Sequence, residues 1–508
     1  MMSKTRLVPS ILHSVRQDVL LLTAATLLAA CGGDSLAPSL GDEPGDAVDA
    51  PPEQPGPARV AFVTLSPIAD TVMLMRATVY AATLKDSAGN VLDKRAITWR
   101  SDDSLIAAIK PRDGTPETVA LVTAKAPGST VISATAEGVR GAASITVPPL
   151  VFASIDAGRG HTCALTTEHW AYCWGWNASG ALGDGTVVDH PTPYPTYGDI
   201  KFSLLSAAIR RAGGGGHTCG VASVGTAYCW GAAGFGELGN GALNPRAQPV
   251  PIAGGLSFSA VTAGGQHSCG LTSDGVAYCW GSNASGQLGA LASDDCSGTP
   301  CGLTPAMVFG GRRFTSISAG GLHTCALTGD GTAFCWGDNS ASQLGDSTST
   351  QRGQPVAVRG GFHFRTISAG GQHTCAITVG NRAYCWGSRY GLGIGVWQAS
   401  PVPLPVASDL EFEQLSSGGA HVCALTPSGD AHCWGMFEGT GTVRLSPQPV
   451  PGGLMFESVD GGGDHTCGVT SEGVAYCWGA NWIGQLGDGT STNQKEPTRV
   501  FGSASRSG

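Results

Sequence analysis

A Cys, nine further residues and a second Cys followed directly by Trp-Gly recur seven times between residues 163 and 477. Each copy also places a His two residues before its first Cys, and most carry Gly-x-Leu-Gly shortly after the Trp-Gly. The third copy is the fullest: His267-Ser268-Cys269, then Ser273-Asp274-Gly275, then Ala277-Tyr278-Cys279-Trp280-Gly281 and Gly286-Gln287-Leu288-Gly289. Successive copies begin 44 to 56 residues apart, enough for four short strands but not for a core of their own. Such units are stable only when stacked, and seven four-stranded sheets set radially make a β-propeller. Gly supplies 76 of 508 residues and charged residues only 13%, which suits turn-dense strands and not helices.

The Cys spacing has a physical reason. A hairpin turning at Ser273-Asp274-Gly275 sets Thr272 opposite Val276, and the same register carried back along both strands brings Cys269 opposite Cys279. The expected bridges are therefore Cys163–Cys173, Cys219–Cys229, Cys269–Cys279, Cys325–Cys335, Cys375–Cys385, Cys423–Cys433 and Cys467–Cys477. Cys296 and Cys301, in an insertion after the third copy, make an eighth. Of the 17 Cys only Cys31 is then left over. Bridges at this density belong to an oxidising compartment. The rival for the same residues is metal, since His267, Cys269 and Cys279 share one face. A structural zinc wants four ligands, however, so no metal and no cofactor is expected. His161, His217, His267, His323, His373, His421 and His465 are read as buried structural donors near the propeller centre.

These copies resemble the regulator of chromosome condensation repeat, in which Ala-Gly-x-x-His-Ser-x-Ala-Leu-Thr-x-Asp-Gly-x-Val-Tyr-x-Trp-Gly precedes Gly-x-Leu-Gly. The likeness covers residues from about 150 to 502 and implies a seven-bladed propeller. It further implies closure by a C-terminal strand, Glu496 to Val500, joined to the blade that starts near Phe152. The paired Cys depart from that pattern, and the fifth and sixth copies lose the clean Gly-x-Leu-Gly, so irregular blades are expected there. Members of the family include a nucleotide-exchange factor for a small GTPase and a bacterial protein inhibitor of β-lactamase, both of which grip proteins with propeller faces.

The N-terminal part falls into three pieces. Residues 1–30 read as a signal peptide, with Lys4, Arg6 and Arg16 ahead of an apolar run from Val19 to Ala30 that is short for a membrane span. Leu28-Ala29-Ala30-Cys31-Gly32 resembles the bacterial lipobox, which makes Cys31 the expected site of lipidation. Residues 31–57 carry Asp34, Asp42, Glu43, Asp46, Asp49 and Glu53 with no Lys or Arg and read as a disordered acidic tether rich in Pro and Gly. Residues 58–147 alternate in β fashion, and Asp86-Ser87-Ala88-Gly89-Asn90-Val91, Ile97-Thr98-Trp99 and Gly128-Ser129-Thr130-Val131-Ile132 resemble the bacterial immunoglobulin-like domain of group 2. That likeness implies a β-sandwich acting as spacer or adhesion module, with Trp99 at its centre. Residues 148–508 form the propeller, so the fold class is all-β: a seven-bladed β-propeller preceded by an Ig-like β-sandwich.

A net charge of −9 gives no footprint for nucleic acid, and the membrane is expected to be met through the lipid alone. No catalytic signature is present, and a residue that appears in every copy is scaffold. Gly234-Phe235-Gly236-Glu237-Leu238-Gly239 matches a dinucleotide-binding pattern but lies in the repeat's own turn with no helix after it. Function belongs where the copies differ, and the segment between Trp-Gly and Gly-x-Leu-Gly carries Trp176, Phe235, Tyr390, Phe437 and Trp482 in different copies, candidates for an aromatic binding rim. The expectation is a monomeric, lipid-anchored protein of the cell envelope, at the outer membrane or cell surface, that binds a protein or glycan and is not an enzyme. The alternatives are an envelope lyase or hydrolase with a central-channel site, which needs an acid/base pair unique to one blade, or a purely structural envelope component.

Overall fold

The structure, a computed structural model, describes residues 57–209, 216–437 and 441–505. The signal peptide, Cys31 and the tether up to residue 56 lie outside the described residues. Those described contain strands and turns with no helix, and none is long and apolar enough to cross a membrane.

From Phe152 onward the chain builds seven consecutive sheets, each an antiparallel meander of four strands in sequence order, the third gaining a two-residue edge strand at Asp294–Asp295. They span residues 152–195, 202–251, 260–307, 314–357, 364–405, 414–449 and 456–499. The middle two strands of each carry the Cys pair in direct opposition, as in Cys269↔Cys279, with Thr272 N donating to Val276 O across the turn. Their Cα atoms are 4.1 Å apart, the closely spaced kind of antiparallel pair. All seven repeat pairs and Cys296–Cys301 are bridged.

The first strand of each sheet packs on the first strand of the next, and that of the seventh packs on that of the first. Gly-x-Leu-Gly is the clasp between neighbours. At four junctions the clasp offers a carbonyl to the next sheet's Trp, as Glu237 O accepts from Trp280 Nε1 at 2.8 Å and Gln485 O from Trp174 Nε1 at 3.0 Å, whereas Nε1 of Trp336 and Trp386 has no such partner. Its last Gly lies against the same indole: at Gly239, φ is +63° and a Cβ would come within 2.8 Å of Trp280, so both the backbone conformation and the space require Gly. The dinucleotide-like pattern at 234–239 is thus a packing device. The indoles of Trp174, Trp230, Trp280, Trp336, Trp386 and Trp434 are fully buried. Each removes on the order of 200 Å² from water, worth on the order of 5 kcal/mol before the opposing entropy.

Three expectations need correction. The C-terminal strand Gln494–Arg499 pairs with Ala475–Gly479 of its own sheet, not with the first, because every sheet already has four sequential strands; the chain after that strand meets the segment before the first sheet at a bridge between Leu150 and Ser503. The fifth copy keeps its clasp in shortened form, Gly391-Leu392-Gly393, with Gly391 O accepting from Trp434 Nε1 at 3.1 Å. Among the described residues the sixth has no such segment, its third and fourth strands extending instead as a hairpin, Ala431–Phe437 with Thr442–Pro449, and the fourth has Ser342 in place of the first Gly. Finally, in residues 58–147 two four-stranded sheets face each other, and Tyr80, fully buried, takes the central place assigned to Trp99. Trp99 is half-buried at the margin, its indole donating to Glu117 O at 2.9 Å. These sheets do not stand off as a spacer: their core runs on through Leu74, Leu150 and Phe152 to Tyr172 and Trp174, Tyr172 donates to Leu74 O, and Arg76 pairs with Asp199 at 2.8 Å.

Candidate functional site

Two hydrogen-bond series run from sheet to sheet, and both return to their start. The first uses the residue opposite the leading Cys of each copy: Asp156, Ser206, Thr262, Ser318, Ser368, Ser416 and Asp460. Its side-chain oxygen accepts a backbone N–H from the following sheet, for example Ala263 N to Ser206 Oγ at 3.0 Å and Ala157 N to Asp460 Oδ2 at 2.7 Å. Five sheets use hydroxyls; only the first and seventh, neighbours in the series, use carboxyls. Burial holds both above the usual carboxylate range, and the Asp460 charge raises Asp156 further. The sequence did not disclose this pair, because the departure from Ser or Thr shows only once the register is known. Asp156 Oδ1 accepts from Ala207 N, and the two oxygens of Asp460 accept from Ala157 N and Ser416 Oγ, so the pair is committed to holding sheets together.

The second series uses the repeated His. His161 Nε2 meets Thr218 Oγ1 at 2.9 Å, His267 meets Thr324 at 2.8 Å, and His465 closes onto Thr162 at 2.7 Å. Thr218 Oγ1 in turn donates to Ala181 O, and Thr162 Oγ1 to Gln485 O. A hydroxyl has one proton, so where it goes to a carbonyl the imidazole is the donor and the ring is the neutral Nε2–H form. Burial lowers the pKa of His161, His323 and His421 to about 4, and that of His267, His373 and His465 to about 3. The series breaks once: Val422 stands where the other copies have Thr or Ser, and the buried Nε2 of His373 has no partner. Val422→Thr would supply an acceptor, its own hydroxyl reaching Gly391 O. Denaturant unfolding is expected to show a gain of about 1 kcal/mol.

Trp176, Phe235, Tyr390 and Trp482 lie on connectors that leave the sheets at one end, and Phe437 ends the extended strand Ala431–Phe437 at that same end. In each meander the first-to-second and third-to-fourth connections share an end, and the connector's start is bonded to the loop before the His: Trp176 N to Gly160 O, Ala232 N to Gly216 O, Ser388 N to Gln372 O, Met436 N to Ala420 O and Ala480 N to Asp464 O. Trp482 is 56% exposed, whereas Trp176, Phe235, Tyr390 and Phe437 are half-buried. Trp176 and Ile483 flank Gly160 at the junction of the seventh and first sheets, and Phe235 is held by its backbone N–H to Glu237 Oε2. The backbone before Phe437 is tied to Tyr390, Met436 N donating to Tyr390 O at 3.1 Å, while the Phe437 ring itself lies against His421 at 4.9 Å. Around them the structure adds residues not singled out from sequence. The Trp397 ring meets Tyr390 edge to face at 5.4 Å, Arg389 lies 5.3 and 5.5 Å from those two rings, and Arg444 lies 5.2 Å from Phe437. The sequence hides these pairings because Tyr390 and Trp397, like Phe437 and Arg444, stand seven residues apart and meet only in the folded chain.

Sheets clasped in series through a buried Trp and a Gly-x-Leu-Gly connector define a propeller-like repeat protein of all-β class. The chain belongs to the RCC1-like domain family: that family's profile matches residues 133–442, and the regulator of chromosome condensation (RCC1) repeat matches again at 456–481 and 472–507. The ultraviolet-B receptor UVR8 of Arabidopsis thaliana is 31% identical over 219 residues, 42% of this chain and 48% of the receptor. The human E3 ubiquitin-protein ligase HERC2 is 28% identical over 210 residues, 40% of this chain and 4% of the ligase. The match thus spans about half the length of the receptor and a small fraction of the ligase. Among solved structures, human WBSCR16 superposes with a TM-score of 0.59 at 21% identity, covering 65% of this chain and 94% of that one. Prp20p of Saccharomyces cerevisiae gives 0.55 at 21%, covering 70% and 86%.

Proposed function

We propose that the protein is an envelope lipoprotein, anchored through Cys31, whose repeats form a closed seven-bladed propeller that binds a partner protein or glycan rather than turning over a substrate. The Ig-like sandwich braces the flank of the propeller, and the molecule works as a monomer. The observation that carries the reading is the contrast between copies. Where the repeat is regular, connectors are filled by their own hydrogen bonds; at the fifth and sixth sheets that filling is replaced by Arg and aromatic side chains, the residues enriched where binding energy concentrates. The two series that return to their start support closure, and the lipobox-like segment with the density of bridges supports export. Prp20p of Saccharomyces cerevisiae, which shares the fold, binds Gsp1p and histones, which accords with a protein-binding role.

Crosslinking and affinity purification from the native envelope test this. A partner is expected whose retention falls about thirtyfold or more with Tyr390→Ala or Phe437→Ala, the effect of losing a central anchor worth about 2 kcal/mol. Retention unchanged by substitution of all five connector aromatics would remove the propeller rim from the account.

A further inference from the structure

One junction has no clasp, and the six that have one show what belongs there. In each of those six the clasp Leu is at most 1% exposed and the last Gly lies against the next sheet's indole. The carbonyl ahead of the Leu gathers donors from the next sheet. Ala181 O accepts from Thr218 Oγ1 and Trp230 Nε1, both at 2.9 Å, and Glu237 O from Ser268 Oγ and Trp280 Nε1 at 3.0 and 2.8 Å. Gln485 O accepts from Thr162 Oγ1 and Trp174 Nε1 at 2.8 and 3.0 Å. Gln287 O and Gln343 O take the hydroxyl alone, and Gly391 O takes the indole.

The seventh sheet keeps both donors, but the sixth brings no clasp to meet them. Trp478 is 5% exposed where the other six indoles are fully buried, and Thr466, 1% exposed, meets His421 Nε2 at 2.9 Å. Among the described residues no carbonyl accepts from Thr466 Oγ1 or Trp478 Nε1. The register locates the place more closely. The first Gly of a clasp packs on the residue that follows the one opposite the next Trp-Gly: Gly180 on Ala247, Gly286 on Gly353 and Gly484 on Pro191. In the seventh sheet Gln494 stands opposite Gly479, so Lys495 is that residue. A cavity of about 90 Å³ lies there, lined in part by Trp478, Gly479, Gln494 and Lys495 with Phe437 and Val450 of the sixth sheet. One water needs only ~15 Å³.

We propose that the junction of the sixth and seventh sheets is a docking slot for a partner protein that presents a Gly-x-Leu-Gly turn, supplying the clasp from outside the chain. The partner's carbonyl ahead of Leu accepts from Thr466 Oγ1 and Trp478 Nε1, its Leu enters the cavity, and its last Gly lies on the Trp478 ring. Each requirement is copied from the six clasped junctions, so the occupant is peptide in kind; a glycan brings no aliphatic side chain for the cavity. A buried donor left without an acceptor is costly, so the incoming carbonyl adds affinity as well as register. This rests on the binding-module reading and names what the partner presents.

The test uses the full chain and two labelled peptides followed by fluorescence anisotropy. One copies residues 481–490, in which Asn481 and Asp488 hold the turn, and the other is the same peptide with Leu486→Ser. The first is expected to bind and the second at least tenfold more weakly, the loss of one buried Leu. Trp478→Phe keeps a ring but removes the N–H, and is expected to weaken binding about five- to tenfold. Lys495→Trp, at an exposed position, sets a ring over the slot and is expected to abolish binding. Melting of that variant at the parent's temperature separates a blocked slot from a lost fold. Trp280→Phe, at a junction already clasped, is expected to leave binding unchanged while lowering the melting temperature by about 2–4 °C. No binding of the first peptide, binding indifferent to Leu486→Ser, or binding that survives both Trp478→Phe and Lys495→Trp would each overturn the proposal. A dimer of the chain that Lys495→Trp disperses in sedimentation would give the slot to a second copy and overturn it too. If the envelope partner still depends on Tyr390 and Phe437 while the peptide fails, only this inference falls and the binding-module reading stands.

Discussion

Lowering the pH from 7 is expected to unfold the propeller at about pH 4 to 5, well before carboxylate protonation alone would act. Six buried imidazoles have pKa values of about 3 or 4 in the folded protein against about 6.5 in an unfolded chain. Their folded values are lowered, so the unfolded state binds more protons below pH 6.5. The stability they allow is complete above that value and is lost as pH falls through 6.5 toward 4 and 3. Each group costs about 3 to 5 kcal/mol over the full window, and six together cost on the order of 20, beyond the net stability of about 5–15 typical of a domain. Asp156 and Asp460 act in the opposite direction. Their raised folded values mean the folded state binds more protons from above the usual carboxylate range downward, which offsets part of the loss. Trp fluorescence against pH reads the transition directly, since the central indoles are buried. A protein that stays native to pH 3 would show that the imidazoles are not neutral, buried donors.

Reduction is the second large effect. In the loop-entropy account each repeat bridge closes 11 residues and is worth roughly 3 kcal/mol, so removing one pair, as in Cys269→Ser with Cys279→Ser, is expected to cost about 2–3 kcal/mol in denaturant unfolding. All the bridged Cys are at most 1% exposed. Dithiothreitol alone is therefore expected to leave the native protein oxidised for hours, whereas dithiothreitol with denaturant reduces it fully, and the chain then fails to refold with its thiols blocked. Rapid reduction under native conditions would place the bridges in sheets that open readily.

The sequence made the hairpins legible because Asp-Gly turns and a fixed Cys spacing leave only one register, and Cys269 opposite Cys279 follows from it. The clasp was visible as a motif but not as a function, since Gly239 is explained only by Trp280, a residue of the next copy. The strand Glu496 to Val500 was expected to join the first sheet, where the structure pairs Gln494–Arg499 with Ala475–Gly479 of its own sheet and links the seventh and first sheets by hydrogen bonds such as Ala157 N to Asp460 Oδ2. Trp99 was preferred over Tyr80 because ring size ranks burial poorly near a sheet edge. Of the site, the five aromatics were legible as departures from the repeat. Arg389, Trp397 and Arg444 were not, because what marks them is contact with those rings, and that is a property of position in space.

Non-reducing peptide mapping of the mature protein from its native envelope, with mass analysis of the N-terminal peptide, tests the central claim of a stapled, lipid-anchored propeller most directly. The account predicts the seven Cys-x₉-Cys bridges, Cys296 joined to Cys301, no free thiol, and an N-terminal peptide that begins at an acylated Cys31. Free or scrambled repeat Cys together with an uncleaved, unacylated N-terminus would contradict it.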